Sequence, residues 1–279
     1  MFSWLILVPR FVHAQQTFTG RLSDSMCGAS HHAKAAAGSV SDRDCLFACI
    51  KGLAKYVLVV EGDQVVPIAN QDAMGLPLYA GRPVRMTGER RGDGIFVMKV
   101  EAIPAHLHLG HVMTNWRDTP GGRGFLPVAI DEARVAVSHA KIAAASDRLD
   151  EIKQHAGDAI HALDPTVESK GAGAGYGVKK AAAGALQHLE FAAKAEGATL
   201  NVTSQAAGVT ASLTSALQWT DEAVAAAVRA RAASDVATAS RAAAELAALT
   251  VRIADEGLRR AHTAMNDVLK AEGILGAPR

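Results

Sequence analysis

A chain of 279 residues is long enough for two domains of ordinary size and too long for one small binding module. Lysine and arginine number 29 and aspartate and glutamate 28, so the net charge of +1 gives no global reason to expect nucleic acid or an anionic membrane as partner. Apolar residues make up 49% of the chain, which excludes general disorder, and aromatic residues only 5%, which argues against platforms that stack bases or sugars.

Residues 1–14 have the features of a cleaved export signal. An apolar run from Phe2 to Val8 is followed by Val12-His13-Ala14, which places small residues where a signal peptidase accommodates them. We expect cleavage after Ala14 and a mature chain that is periplasmic or secreted. The alternative is a buried first strand or helix, against which Pro9 and the abrupt polarity at Gln15 argue. No other apolar run approaches the ~20 residues needed to cross a bilayer, so the mature chain is expected to have no transmembrane segment.

The region 15–104 has the pattern of a small β domain. Short runs rich in β-branched residues, broken by Gly and Asp, predict strands at 17–22, 55–60, 64–69, 83–88 and 95–103. Two segments supply the turn chemistry of hairpins, Glu61-Gly62-Asp63 and Arg91-Gly92-Asp93-Gly94. Short strands with one longer insertion after the first predict a closed or nearly closed β-barrel of the OB type.

Five motifs of this region also carry a family resemblance. They are Thr17-Phe18-Thr19-Gly20, Asp24-Ser25-Met26-Cys27-Gly28, Cys45-Leu46-Phe47-Ala48-Cys49, Lys55-Tyr56-Val57-Leu58-Val59 and Ile68-Ala69-Asn70-Gln71. Together they resemble a largely uncharacterised family of small exported bacterial domains of OB-like form. The resemblance covers the N-terminal third of the chain. It implies the fold and the export, but no substrate and no catalytic residue.

Residues 127–272 have the composition of an alanine-rich helical domain. The pattern predicts helices at 127–145, 147–163, 177–196, 200–233 and 235–272, with Asp147 and Ser234 as N-caps. Apolar residues recur along these segments at helical spacing, which predicts a four- or five-helix bundle with close contacts. The expected fold class is therefore α+β multidomain, a small OB-like β-barrel followed by this bundle. Residues 105–126 are expected to form a histidine-containing linker and 273–279 a tail.

The strongest chemical pattern lies in the β region, where Cys27 and His31 are followed by Cys45 and Cys49. Three cysteines and a histidine are the ligand set of a tetrahedral metal site, and residues four apart on a short helix present their sulfurs on one face. In an oxidising compartment, however, two of three thiols normally pair. A disulfide from Cys27 to Cys45 or Cys49 is therefore the main alternative, and unlinked thiols are the third.

Histidines supply two further candidate sites. In the predicted linker, His106, His108 and His111 could gather zinc or copper, and surface histidines at a domain junction are the plain alternative. The predicted helices carry His139, His155, His161, His188 and His262. Because facing helices of a bundle build metal and haem pockets from inward side chains, we expect His139 and His188 to form such a site. A merely hydrogen-bonded role in the bundle is the alternative for each.

A glycine-rich segment at 170–177 precedes a predicted helix and has lysines beside it. Backbone N–H groups in such a segment can hold a phosphate or carboxylate. This segment follows a helix rather than a strand and lacks the Gly-Lys-Ser/Thr of a P-loop, which favours a flexible connection.

The catalytic motifs of common hydrolases and metalloproteases are absent from the sequence. We therefore expect an exported binding or scaffold protein that holds a transition metal, zinc or copper, or a haem-like ligand. One alternative is an electron carrier or enzyme with its cofactor in the bundle. Another is a structural, envelope-associated protein. The expected partners are an envelope protein or a second copy of the chain, and not nucleic acid.

Overall fold

The computed structural model describes residues 14–30 and 42–274. The chain divides into two units, Met1–Ile103 and Pro104–Arg279, at the point where strands give way to helices. The expected α+β class is confirmed. Most of the predicted export signal, His31 and the end of the predicted tail lie outside the described residues.

The first unit contains an antiparallel sheet in the order β3-β2-β1-β4-β5. The strands are β1 Gln16–Asp24, β2 Tyr56–Val60, β3 Gln64–Pro67, β4 Pro83–Arg91 and β5 Gly94–Ala102, with helix α1, Asp42–Lys51, between β1 and β2 in the chain. Alternation with a period of two sets the buried face: Val84 and Met86 of β4 are fully buried. Both predicted hairpin turns form, the first with Gly62 at a φ of 73° that glycine adopts without steric cost.

The sheet is not closed, so of the predicted closed or nearly closed barrel the closed form is wrong. Strands β3 and β5 lie at the two edges, and in the described chain one isolated parallel bridge, Ile68 to Ile95, links these edges. Strand β3 ends at Pro67, whose nitrogen has no hydrogen to donate to a longer ladder. Both isoleucines are buried and complete the apolar core of this unit.

The second unit is helical. Its helices are α2 Pro104–Met113, α3 Phe125–Ala145, α4 Leu149–Leu163, α5 Val178–Lys194, α6 Leu200–Ala232, α7 Val236–Arg252 and α8 Arg260–Ala271. The helical segments predicted from the sequence are confirmed, although a π-helical segment, Ile253–Arg259, separates α7 from α8. No helix in the described part of the chain has both the length and the apolar character that a membrane span requires.

The predicted linker 105–126 is wrong over its first half, because Pro104–Met113 forms helix α2. Leu109 and Val112 of this helix are fully buried and belong to the same core as the bundle. Helix α2 packs against α5, so it adds to the bundle a helix that the sequence pattern did not predict. Histidines interrupt the apolar residues of this segment, so its composition does not indicate a helix with a buried face.

Each of the two predicted N-caps lies one residue before the observed N-cap position. Helix α7 is capped by Asp235, whose Oδ1 accepts from the Thr238 N–H at 2.8 Å, rather than by Ser234. Helix α4 begins at Leu149, after Arg148 and not after Asp147. These corrections do not change which faces of the helices are buried.

Small residues allow the helices of the bundle to approach closely. A Cβ on Gly257, in the π-helical segment, would lie 2.7 Å from the Cβ of Ala216 on α6. A Cβ on Gly184 of α5 would lie 2.4 Å from Cε1 of Phe125 on α3. Real Cβ contacts are longer than this, so glycine at both positions is required by packing.

Candidate metal centres

The three cysteines of the chain lie together in the first unit, and we call them the thiol cluster: Cys27, Cys45 and Cys49. Cys27 lies in the turn after β1, and the buried Asp24 organises this turn. Its Oδ1 accepts from the backbone N–H groups of Met26 and Cys27, both at 2.9 Å. Cys45 and Cys49 lie on α1 one helical turn apart, so they share a face as predicted.

The sulfurs are spaced as ligands of one ion. The Sγ of Cys27 lies 3.8 Å from that of Cys45 and 3.6 Å from that of Cys49, and the thiols are unlinked. A tetrahedral ion with Zn–S bonds of ~2.3 Å separates its sulfurs by roughly 3.8 Å. A disulfide needs its sulfurs at ~2.05 Å, which requires a rearrangement. The fourth predicted ligand, His31, is among the residues that the structure does not describe.

Cys27 and Cys49 hold their protons tightly. Burial raises the pKa of both Cys27 and Cys49, and for Cys27 the hydrogen bonds to the other two sulfurs add to the rise. The nearby carboxylate of Asp24 raises both pKa values further. A metal binds the thiolate, so it must displace these protons.

The predicted cluster of His106, His108 and His111 does not form as one group. Residues two apart on a helix lie on nearly opposite sides, so α2 directs His106 away from His108. His106 Nε2 lies 2.9 Å from the Oε2 of Glu272, and the other oxygen of that carboxylate, Oε1, accepts from Asn201 Nδ2 at 2.8 Å. The assignment of His106 to a shared metal site is therefore wrong.

His108 and His111 are joined instead by His188 of α5, and we call these residues the trihistidine cluster. The Nδ1 of His188 lies 3.1 Å from that of His108 and 3.3 Å from that of His111. Residues three apart on α2 share a face, and α2 packs against α5, so the three imidazoles converge. A tetrahedral ion with Zn–N bonds of 2.0–2.1 Å separates its nitrogens by roughly 3.3 Å.

Aromatic rings surround the trihistidine cluster. The ring of Phe125 stacks on His188 with ring centroids 5.4 Å apart. The ring centroid of Trp116 lies 4.9 Å from that of His188 and 4.7 Å from that of His111. Burial lowers the pKa of His188 to about 4, and the other two imidazoles add to the effect. Burial also lowers the pKa of His108 and His111. The three side chains are therefore neutral at pH 7, the form in which imidazole binds metals.

The expected pairing of His139 with His188 is wrong, because His139 belongs to a separate group. Its Nδ1 lies 2.8 Å from the Nδ1 of His155, and the Oδ2 of Asp158 lies 3.4 Å from the first nitrogen and 3.7 Å from the second. We call His139, His155 and Asp158 the His–Asp cluster. It joins α3 to α4, which pack against each other.

The remaining bundle histidines have hydrogen-bonded roles. His161 Nδ1 lies 2.8 Å from the carbonyl oxygen of Glu168, and His262 Nδ1 lies 3.2 Å from Nδ2 of Asn266. Two open hollows on the described surface have no histidine in their lining: one is lined by Arg259, Arg260, Thr263, Ala264 and Asp267, and the other by residues of 72–79 and 98–100. Neither hollow therefore offers an axial ligand for haem.

The glycine-rich segment binds a carboxylate of the protein itself. The backbone N–H groups of Tyr176 and Gly177 donate to the Oε1 of Glu132 at 2.9 and 3.2 Å, and that of Ala174 donates to its Oε2 at 3.3 Å. Glu132 lies on α3 and is buried. The N–H groups are thus engaged internally, and the segment is held in place rather than being the flexible connection expected from its composition.

Two potential ligands were missed by the sequence analysis as members of a site, His155 and Asp158. Their spacing of three residues on an amphipathic helix places them on one face, which is a signal that the sequence does contain. The link between His188 and α2 has no comparable signal, because 77 residues separate His188 from His111.

Comparison of the chain with protein-family models, with curated proteins and with solved structures finds no match. The resemblance of the N-terminal third to small exported domains therefore stays a prediction, and the function is argued from the geometry of the clusters.

Proposed function

We propose that this chain is an exported metal-binding protein whose principal centre is the trihistidine cluster. The observation that carries the proposal is the convergence of two imidazole nitrogens on the Nδ1 of His188. A neutral imidazole nitrogen has either one hydrogen or one lone pair, so it makes one good hydrogen bond and not two. A single metal ion between the rings engages the lone pairs of His108, His111 and His188 together.

The donors favour zinc or copper as the ion. Neutral imidazoles suit these borderline-soft cations, and three protein nitrogens leave a fourth position for water or another ligand. The aromatic surroundings keep the imidazoles neutral, so protons do not compete with the metal at pH 7. Haem is a weaker candidate, because neither of the two surface hollows described above has a histidine in its lining.

We propose the thiol cluster as a second centre, for a softer or more thiophilic ion. The support is the spacing of its sulfurs at 3.6 and 3.8 Å, close to a tetrahedral edge. In an oxidising compartment an ion bound there competes with the formation of a disulfide by Cys27.

The proposal of an OB-like form for the first unit has specific support. The isolated parallel bridge from Ile68 to Ile95 brings the two edge strands towards each other, as in a partly open barrel. Export rests on the sequence of residues 1–14, and docking to an envelope protein or a second copy remains part of the same proposal.

Zinc binding by the full mature chain tests the principal centre. Equilibrium dialysis of wild type, His188→Ala and His108→Asn should show that each variant binds one zinc equivalent fewer than wild type. The His108→Asn variant guards against a failure of His188→Ala to fold, because His108 is only half-buried. His262→Asn is the matched control and should bind as wild type. Unchanged zinc stoichiometry in both folded cluster variants would refute the proposal.

A further inference from the structure

The His–Asp cluster has the composition of a metal site distinct from the trihistidine cluster. Two imidazoles and one carboxylate form the set that holds divalent first-row transition metals in many proteins, with further positions left open. Here the donors come from two packed helices, and the Oδ2 of Asp158 faces the Nδ1 atoms of both His139 and His155. The side chains are 18–22% exposed, so an ion can reach them from solvent.

A hydrogen bond alone accounts for only part of this arrangement. One proton shared by His139 and His155 explains their separation of 2.8 Å. It does not explain why the carboxylate oxygen lies 3.4 and 3.7 Å from the same two nitrogens, too far for strong hydrogen bonds. All three distances are compatible with a cation between the donors.

The second oxygen of the carboxylate connects the cluster to the glycine-rich segment. The Oδ1 of Asp158 accepts from the backbone N–H of Ala172 at 3.2 Å. Such an outer hydrogen bond orients a metal-binding carboxylate. The later part of the segment is held by Glu132, which lies on α3 seven residues before His139. Both carboxylates that hold the segment therefore come from the helices that carry the cluster.

We propose that the His–Asp cluster binds a divalent transition-metal ion, and that this ion restrains the start of the glycine-rich segment through Asp158 and Ala172. The site is independent of the trihistidine cluster. The ion replaces the proton between the imidazoles and draws the three donors together. With Asp158 fixed by the ion, the amide of Ala172 exchanges more slowly with solvent.

The test uses the full mature chain carrying His108→Asn and His111→Asn, so that the trihistidine cluster does not contribute. Zinc is the probe, and equilibrium dialysis should show one equivalent lost when His155→Asn or Asp158→Asn is added. Asp158→Asn keeps an oxygen that can accept from Ala172, so it removes the charge with little change in shape. His262→Asn is the control and should lose none.

Hydrogen exchange supplies the second measurement. Zinc should slow exchange at the amide of Ala172 by about tenfold in the parent chain and by less than twofold in the Asp158→Asn variant. The proposal is overturned if both folded variants bind as much zinc as the parent, since the histidines then form only a hydrogen bond. It is also overturned in part if zinc binds but exchange at Ala172 is unchanged, because the ion then does not restrain the segment.

Discussion

The thiol cluster and the trihistidine cluster reach similar geometries by different routes. In the first unit a turn and one short helix supply the ligands, and Cys45 and Cys49 are separated by a single helical turn. In the second unit, His188 reaches His108 and His111 only because two helices distant in sequence pack together. The pairing of Cys45 with Cys49 depends only on local structure, and Cys27 joins it from 18 residues away, whereas the trihistidine cluster depends on the packing of helices about 80 residues apart.

The two clusters also differ in their protonation. Burial acts on both, but it opposes the charged form, which is the thiolate in one cluster and the imidazolium in the other. It therefore raises the pKa of Cys27 and lowers that of His188. The thiol cluster must give up protons to bind a metal, and the trihistidine cluster is already deprotonated at neutral pH.

The largest expected difference between the clusters is in the pH dependence of metal affinity. For each unit of pH lowered from 8 to 6, the affinity of the thiol cluster should fall by at least about 100-fold, because Cys27 and Cys49, at the least, must each release a proton. Over the same range the affinity of the trihistidine cluster should change much less, since burial lowers the pKa of all three of its histidines below the usual value.

Cobalt(II) titrations separate the two centres, because thiolate ligands give strong charge-transfer absorption and imidazoles do not. Below pH 6 the trihistidine cluster should weaken as well, and protonation of His188, whose pKa is lowered to about 4, should add to the loss as the pH approaches that value. Equal pH profiles for the two centres would contradict this account of their protonation.

A smaller effect is expected from removing the central ligand of the thiol cluster. Cys27→Ser replaces the sulfur that lies 3.8 Å from that of Cys45 and 3.6 Å from that of Cys49, and the cobalt affinity of this centre should fall by at least about 100-fold. The trihistidine cluster should keep its affinity. Met26→Ser is the matched control, since Met26 is an exposed neighbour in the same turn. If Cys27→Ser bound cobalt as tightly as this control, the three sulfurs would not share an ion.

Local pattern was sufficient to predict most of the fold. Alternation along β4 and turn residues such as Gly62 indicate where the strands lie in the sequence. Helical periodicity indicates the positions of the long helices of the bundle. Helix α2 was missed because its buried residues, Leu109 and Val112, alternate with histidines and give a weak apolar stripe. Closure of the barrel failed as a prediction because it depends on how far β3 extends, and Pro67 limits that pairing.

The candidate sites were predictable only where the ligands share a local element. Cys45 and Cys49 were correctly placed on one face of a helix, and His108 and His111 were placed in one cluster, but His106 was wrongly added to it. The partner of His139 was assigned to the wrong helix, because periodicity shows that a residue faces inward but not which helix it meets. Which helix such a residue meets is determined by the packing of the helices against one another.

The smallest expected effect tests the dependence of the trihistidine cluster on packing. Gly184→Ala places a methyl group 2.4 Å from Cε1 of Phe125, which must move, at a cost of about 1–3 kcal/mol in unfolding free energy. Because Phe125 stacks on His188, the imidazole shifts with it, and zinc affinity should fall by about tenfold.

Gly208→Ala is the control, since a Cβ there contacts nothing within 4 Å and alanine should stabilise α6 by up to about 1 kcal/mol. Urea unfolding and zinc titration of both variants measure this. Should Gly184→Ala match the control in both, the ring of Phe125 does not position His188, and the contrast with the locally built thiol cluster would disappear.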